Sequence, residues 1–181
     1  MNEIVAAISA RRAYRALDDK PVPQDVLGRI LEASVLAPSC MNNQPWRFLV
    51  MKEPQGLAKG REALTKGNYW AKKAPVLICI YTRKEDDCIL SEGRDYALFA
   101  CGLAAANLLI QATTEGLIAH PMAGYDAAVL KSAFELPADS IPIVLIALGY
   151  PGDENGLSEK HKAAEHAPRI RKPLQEVVIF A

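Results

Sequence analysis

Ala74-Pro75-Val76-Leu77-Ile78-Cys79-Ile80-Tyr81-Thr82 is the stretch on which the fold turns, because its apolar run is unbroken by polar alternation. A strand with one wet face alternates apolar and polar residues, so a continuous run marks a strand covered on both faces. Ile141–Tyr150 (IPIVLIALGY) repeats the pattern. Trp46–Met51 and Gly116–Ala119 read as shorter strands, the second running into a turn at Pro121–Gly124.

Working outward, the spacing predicts helices between these runs. The first spans 2–12, with Asn2 as N-cap and Ile4, Val5 and Ile8 on one face. Pro23 and Asp25 open a second, with Val26, Leu27, Ile30, Leu31 and Val35 inward, and Pro38 ends it. Residues 54–65 form a polar surface helix, and Asp126 caps a short helix through Phe134. Glu92–Thr114 is the longest. It is apolar almost all round and crowded with Ala97, Ala100, Gly102, Ala104, Ala105 and Ala106. Such a helix belongs in a core or an interface, since it has too little polar surface to face water. Asn107, at its middle, reads as a side chain bonded to local backbone. Strands alternating with helices place a central sheet between helical layers.

No repeat or linker divides residues 1–181, so they read as a single domain. The segment 152–181 is the odd part. It shows no convincing buried helix, yet ends in the β-rich Val177–Phe180. A compact domain seldom keeps a long structureless arm, and an exposed apolar end is a pairing hazard. The arm is therefore expected to wrap a partner subunit, in an intertwined homodimer.

Half the residues are hydrophobic and 23% are charged, which excludes disorder. Lys+Arg and Asp+Glu are 21 each, and a net charge of +0 argues against general nucleic-acid binding. The apolar stretches fall short of the roughly 20 residues a membrane helix needs. No targeting segment is read at the N-terminus. Cys40, Cys79, Cys88 and Cys101 lack C-x-x-C spacing and are expected as free thiols in a reducing cytoplasm. The common phosphate-loop, zinc and serine-nucleophile signatures are absent, so no metal site is expected.

The zero charge hides a distribution. Arg11, Arg12 and Arg15 lie within five positions; Arg169 and Arg171 sit between Pro168 and Pro173; residues 84–95 are acidic. Each basic cluster alone reads equally as a solvated segment. Together they suit an anion, because the planar fork of arginine matches phosphate geometry. Ser39, Asn42, Asn43 and Gln44, followed by Trp46, offer donors and acceptors for the edge of a planar heterocycle. The same residues also suit plain turn chemistry between Pro38 and Pro45.

Three motifs in order resemble the FMN-dependent nitroreductase family: Arg11-Arg12-Ala13-Tyr14-Arg15, Ala37-Pro38-Ser39-Cys40-Met41-Asn42-Asn43-Gln44-Pro45-Trp46, and Arg169-Ile170-Arg171-Lys172-Pro173-Leu174. The resemblance implies an α+β fold, a three-layer α/β/α sandwich with a central mixed sheet, in a homodimer binding FMN at the subunit interface. It implies that Arg11, Arg12, Ala13 and Arg15 line the cofactor from one side, and that Arg169 and Arg171 clamp its phosphate. Pro38, Ser39, Cys40 and Asn42 come from the other subunit, and backbone at Met122, Ala123 and Gly124 lies near flavin N5. No side chain is assigned as catalytic, since the flavin carries the chemistry.

NADH or NADPH is the implied donor, passing hydride to N5, and a nitroaromatic, quinone or similar small molecule the acceptor, in ping-pong order. Ala13 departs from the usual serine and Ala123 from an acidic residue found in several relatives; the chain is also short for the family. Flavin-consuming or dehalogenating chemistry, or a non-redox nucleotide-binding dimer, are the alternatives.

Overall fold

Four strands make one sheet: β1 (Arg47–Met51), β2 (Val76–Thr82), β3 (Ile118–Met122) and β4 (Ile141–Gly149), in the order β1-β2-β4-β3. The structure is a computed structural model describing residues 4–181, so the expected Asn2 cap lies outside the described residues. The two continuous apolar runs occupy the two central positions, where both faces are covered. Val76, Ile78 and Ile80 of β2 point with Ile146 and Leu148 of β4 into one core, and Leu77 and Cys79 point with Leu145 and Ala147 into the other. Each fully buried Leu or Ile contributes roughly 1.5–3 kcal/mol relative to exposure, which makes these two strands the backbone of the domain.

The helices are α1 (Ala6–Ala10), α2 (Gln24–Val35), α3 (Pro54–Glu62), α4 (Tyr96–Thr114), α5 (Ala127–Ala133), α6 (Glu159–His166) and α7 (Leu174–Val177). α2 and α4 cover one face through Leu27, Ile30, Ala100, Ala104 and Leu108. α3, α5 and the tight turn Lys66–Lys73 cover the other through Leu57, Leu130, Trp70 and Ala71. The three-layer α+β architecture is thus present. Every strand pairing among the described residues is antiparallel, however, where a mixed sheet was expected. The connections place each strand beside a neighbour running the other way, and no crossover joins parallel strands.

Several elements depart from the sequence reading. α4 begins at Tyr96 rather than Glu92, because Glu92 takes a left-handed φ of 64° within the turn Ser91–Gly93. At 19 residues α4 is, by length and composition, long and apolar enough to cross a membrane, which the sequence reading had denied. Its Ala97, Ala100, Cys101, Ala104, Leu108 and Ala112 are nevertheless buried in this fold, while Leu98 and Phe99 are exposed. Asn107 bonds to backbone, but across to Ala33 O of α2 (3.1 Å) rather than locally. β3 continues through Pro121 to Met122 where a turn was expected; Pro121 sits on an edge strand, which tolerates a residue without an N–H. The arm holds a helix the sequence did not betray, α6, capped by the Ser158 hydroxyl.

Cys40 and Cys88 form a disulfide, which corrects the expectation of four free thiols and removes the cysteine argument for a reducing compartment. Topology explains the pairing. Arg47 at the start of β1 lies opposite Tyr81 near the end of β2, so the loop before β1 and the segment after β2 meet at one end of the sheet. Cys79 and Cys101 are free and buried, as small apolar residues would be.

Candidate functional site

The two arginine clusters meet. The Arg169 guanidinium donates to the backbone oxygen of Arg11, and Arg12 Nη2 donates to Ala167 O at 2.6 Å. Burial, and then the charges of Arg169 and Arg171, draw the proton affinity of Arg11 below its ordinary value. Three guanidiniums gathered at one place repel one another and are relieved by an anion between them. Arg15 behaves differently. Its side chain pairs with Glu165 (3.6 Å) and lies over the Trp70 ring (5.9 Å to the centroid). The buried Glu165 carboxylate also accepts from the N–H groups of Arg15 and Ala16 at 3.0–3.2 Å. α6 therefore docks the C-terminal arm onto the N-terminal segment through one buried acid, a role no sequence pattern announced.

The same segment runs beside β3. His120 Nδ1 bonds to Tyr14 O (3.0 Å), and its ring packs on Trp70 at 4.4 Å between centroids. Burial pushes His120 down to about 4, so it is neutral and structural at ordinary pH. Ala13 is half-buried next to Tyr14. Four residues after His120, Gly124 O accepts from Asn68 Nδ2 (2.8 Å), Thr65 Oγ1 (2.8 Å) and Thr65 N (3.2 Å). These bonds fix the backbone that follows buried Met122 and leave Ala123 exposed. Thr65 and Asn68 were missed; the only hint was a short polar run ahead of Trp70.

Ser39–Gln44 forms the other half. Met41, Asn42 and Gln44 hold φ of 51°, 58° and 52°, a left-handed region that costs non-glycine residues about 1–3 kcal/mol each. Ser39 Oγ accepts from Gln44 N (2.9 Å), Asn43 Nδ2 donates to Asp87 Oδ1 (3.2 Å), and Cys40 is tied to Cys88. The turn chemistry that the sequence left as an alternative is thus present, and it holds Asn42 and Met41 exposed at the surface. Trp46 is buried under the loop and packs with α2 and α4.

One chain does not bring the halves together. The loop enters β1 and the Ala123–Gly124 backbone leaves β3, the two opposite edges of the sheet. Three interstrand spacings separate those edges, roughly 14 Å. The loop also packs on the α2/α4 side, whereas Tyr14, Ala16 and Trp70 pack on the other. The hollow beside Arg15 and Trp70, about 320 Å³, is lined by none of the other expected cofactor residues. The exposed apolar residues include Ile4, Val5 and Ile8 at α1, Leu98 and Phe99 on α4, and Leu174, Val177, Ile179 and Phe180 on the arm.

The chain matches the family model described as "Nitroreductase family" over residues 8–68 and 51–150. It is 30% identical over 200 residues to the NADH dehydrogenase of Thermus thermophilus, covering 94% of this chain and 92% of that protein. It is 27% identical over 186 residues to the iodotyrosine deiodinase of Haliscomenobacter hydrossis, covering 85% and 83%. A solved structure described as an oxidoreductase containing FMN superposes with a TM-score of 0.86 at 30% identity, over 98% of this chain and 91% of that one.

Proposed function

The chain belongs to the nitroreductase family, and from that membership we propose that it is an FMN-dependent NAD(P)H oxidoreductase working as a homodimer. The observation that carries the reading is the meeting of Arg11 with Arg169, beside Arg171, where a dianionic phosphate would relieve their mutual repulsion. FMN bound there would supply the redox chemistry for passing hydride from NADH or NADPH to a nitroaromatic, quinone or similar acceptor in ping-pong order.

This chain's residues bind and orient. Arg11, Arg169 and Arg171 would hold the phosphate, with Arg12 and Ala13 beside them. Arg15, held by Glu165 and Trp70, would be the cation on the side of the pyrimidine edge. The backbone at Met122, Ala123 and Gly124, whose Gly124 carbonyl is braced by Asn68 and Thr65, would lie near the reactive centre of the ring. Pro38, Ser39, Cys40 and Asn42 lie on the opposite sheet edge and are supplied to the site by the second copy. The exposed end of the arm, 166–181, and the exposed side of α4 would be the surfaces through which the copies join.

Colour and bleaching test the reading. The purified protein should be yellow and should bleach anaerobically on addition of NADH or NADPH. Yellow protein that bleaches with neither nicotinamide would favour the dehalogenating chemistry that the deiodinase relative suggests. Colourless protein that refuses added FMN would defeat both.

A further inference from the structure

The Cys40–Cys88 bond joins the loop assigned to the cofactor with the acidic segment after β2. Both cysteines are half-buried, whereas Cys79 and Cys101 are sealed in the core. Burial pushes the Cys79 thiol up to about 12 and Cys101 up to about 11, so neither competes for oxidants or thiol reagents. Beside the pair lies Asp87, a buried carboxylate with one oxygen close to both sulfurs, within 4.8 Å. Its Oδ1 accepts from Cys88 N (2.8 Å) and Asn43 Nδ2 (3.2 Å), while its Oδ2 has no partner among the described residues. A buried acceptor without a donor is costly, and reduction would create two S–H donors within 4.8 Å of one oxygen of this carboxylate.

Next to Cys40 the backbone is strained at Met41 and Asn42, so the loop conformation needs outside support. That support comes from Cys88 through the disulfide and from Asp87 through Asn43, both on one segment. Breaking the covalent link leaves the Asn43 side chain as the tie from the loop to that segment, beside the loop's own bonds from Gln44 N to Ser39 Oγ and from Gln44 Nε2 to Asn42 O.

We propose that Cys40 and Cys88 are a second redox centre, a reversible dithiol/disulfide couple that sets the affinity of the cofactor loop for FMN. The coupling to FMN rests on the function proposed above; the couple itself does not. The exchange balances with a small dithiol as reductant. Its thiolate attacks one sulfur of the pair, the Cys40–Cys88 bond breaks, and the departing cysteine takes a proton. The second thiol of the reductant then displaces the other cysteine, so the reductant leaves as a cyclic disulfide and the protein gains two thiols. The bonded state holds Asn42 and Ser39 in place, and the dithiol state frees them.

The test uses the FMN-loaded protein equilibrated across ratios of reduced to oxidised dithiothreitol, quenched by alkylation and read by peptide mass. Cys40 and Cys88 should become alkylated together, along one curve, while Cys79 and Cys101 stay unmodified. FMN affinity, read by flavin fluorescence at the two ends of the series, should be about fivefold or more weaker in the dithiol state. In Cys88→Ser the two ends should give the same affinity. Alkylation of both cysteines under oxidising conditions would overturn the couple, as would a dithiol pair occupied by stoichiometric zinc. Equal FMN affinity in both states would overturn the coupling. A protein that bound no FMN in either state would remove the flavin reading and the coupling with it, while the alkylation curve still decided the couple.

Discussion

The Arg169 guanidinium hydrogen-bonds the backbone oxygen of Arg11, joining two residues 158 positions apart. Neither cluster alone points to an anion site; their juxtaposition does, because burial and then the charges of Arg169 and Arg171 lower the proton affinity of Arg11. Arg171→Ala would remove one proposed charge-assisted phosphate contact without touching the core, since Arg171 is exposed. FMN affinity should fall by roughly 1.5–3 kcal/mol at unchanged melting temperature, as measured by flavin fluorescence and thermal unfolding.

Gly124 is held where side chains leave no room. A Cβ there would lie 2.9 Å from both Asn68 Nδ2 and Thr65 Oγ1, the two groups that bond its own carbonyl. Gly124→Ala should cost about 1–3 kcal/mol of stability in urea unfolding, because at least one of those bonds must open. An unchanged midpoint would mean that the Lys66–Lys73 turn can yield freely.

His120 gives the fold a pH dependence. Its pKa falls from 6.5 to about 4 on burial against Trp70, so the unfolded chain binds more protons between those values. Stability is therefore full above pH 6.5 and is lost as pH drops through the window, by about 3 kcal/mol in all. Urea midpoints at pH 7.5 and 4.5 check the sign, and His120→Gln should flatten the part of the slope that this residue supplies.

The exposed apolar side of α4 predicts assembly. Phe99, 61% exposed beside exposed Leu98, lies on the apolar side of α4 through which the proposed dimer would pack. Phe99→Asp should shift the protein toward monomer in sedimentation velocity and release FMN with it. A monomeric wild type that binds FMN fully would contradict the shared site.

Reducing the disulfide should also destabilise. Its ends are 48 positions apart, and releasing that loop into the unfolded ensemble is worth up to ~4 kcal/mol by chain entropy. Thermal unfolding with and without a dithiol measures it.

The sheet was legible because β2 and β4 are covered on both faces and show it as uninterrupted apolar runs. The loop and the arginine clusters were legible because their residue types are chemically distinctive. What stayed hidden depends on contacts distant in sequence. Cys40 finds Cys88 only because β1 pairs with β2. Glu165 is buried only because the N-terminal backbone offers it two N–H groups, so α6 shows no apolar stripe. Asn68 supports Gly124 across 56 positions. The antiparallel order of the strands follows from connections whose direction no periodicity encodes.

The central claim is that these arginines make a phosphate site, and riboflavin, which is FMN without the phosphate, isolates it. Parallel fluorescence titrations of the apoprotein with FMN and riboflavin should show FMN binding tighter by about 10- to 100-fold or more, the worth of one or more charge-assisted contacts. In Arg171→Ala that margin should shrink toward the riboflavin value. Equal affinity for the two flavins in the unaltered protein would contradict the account.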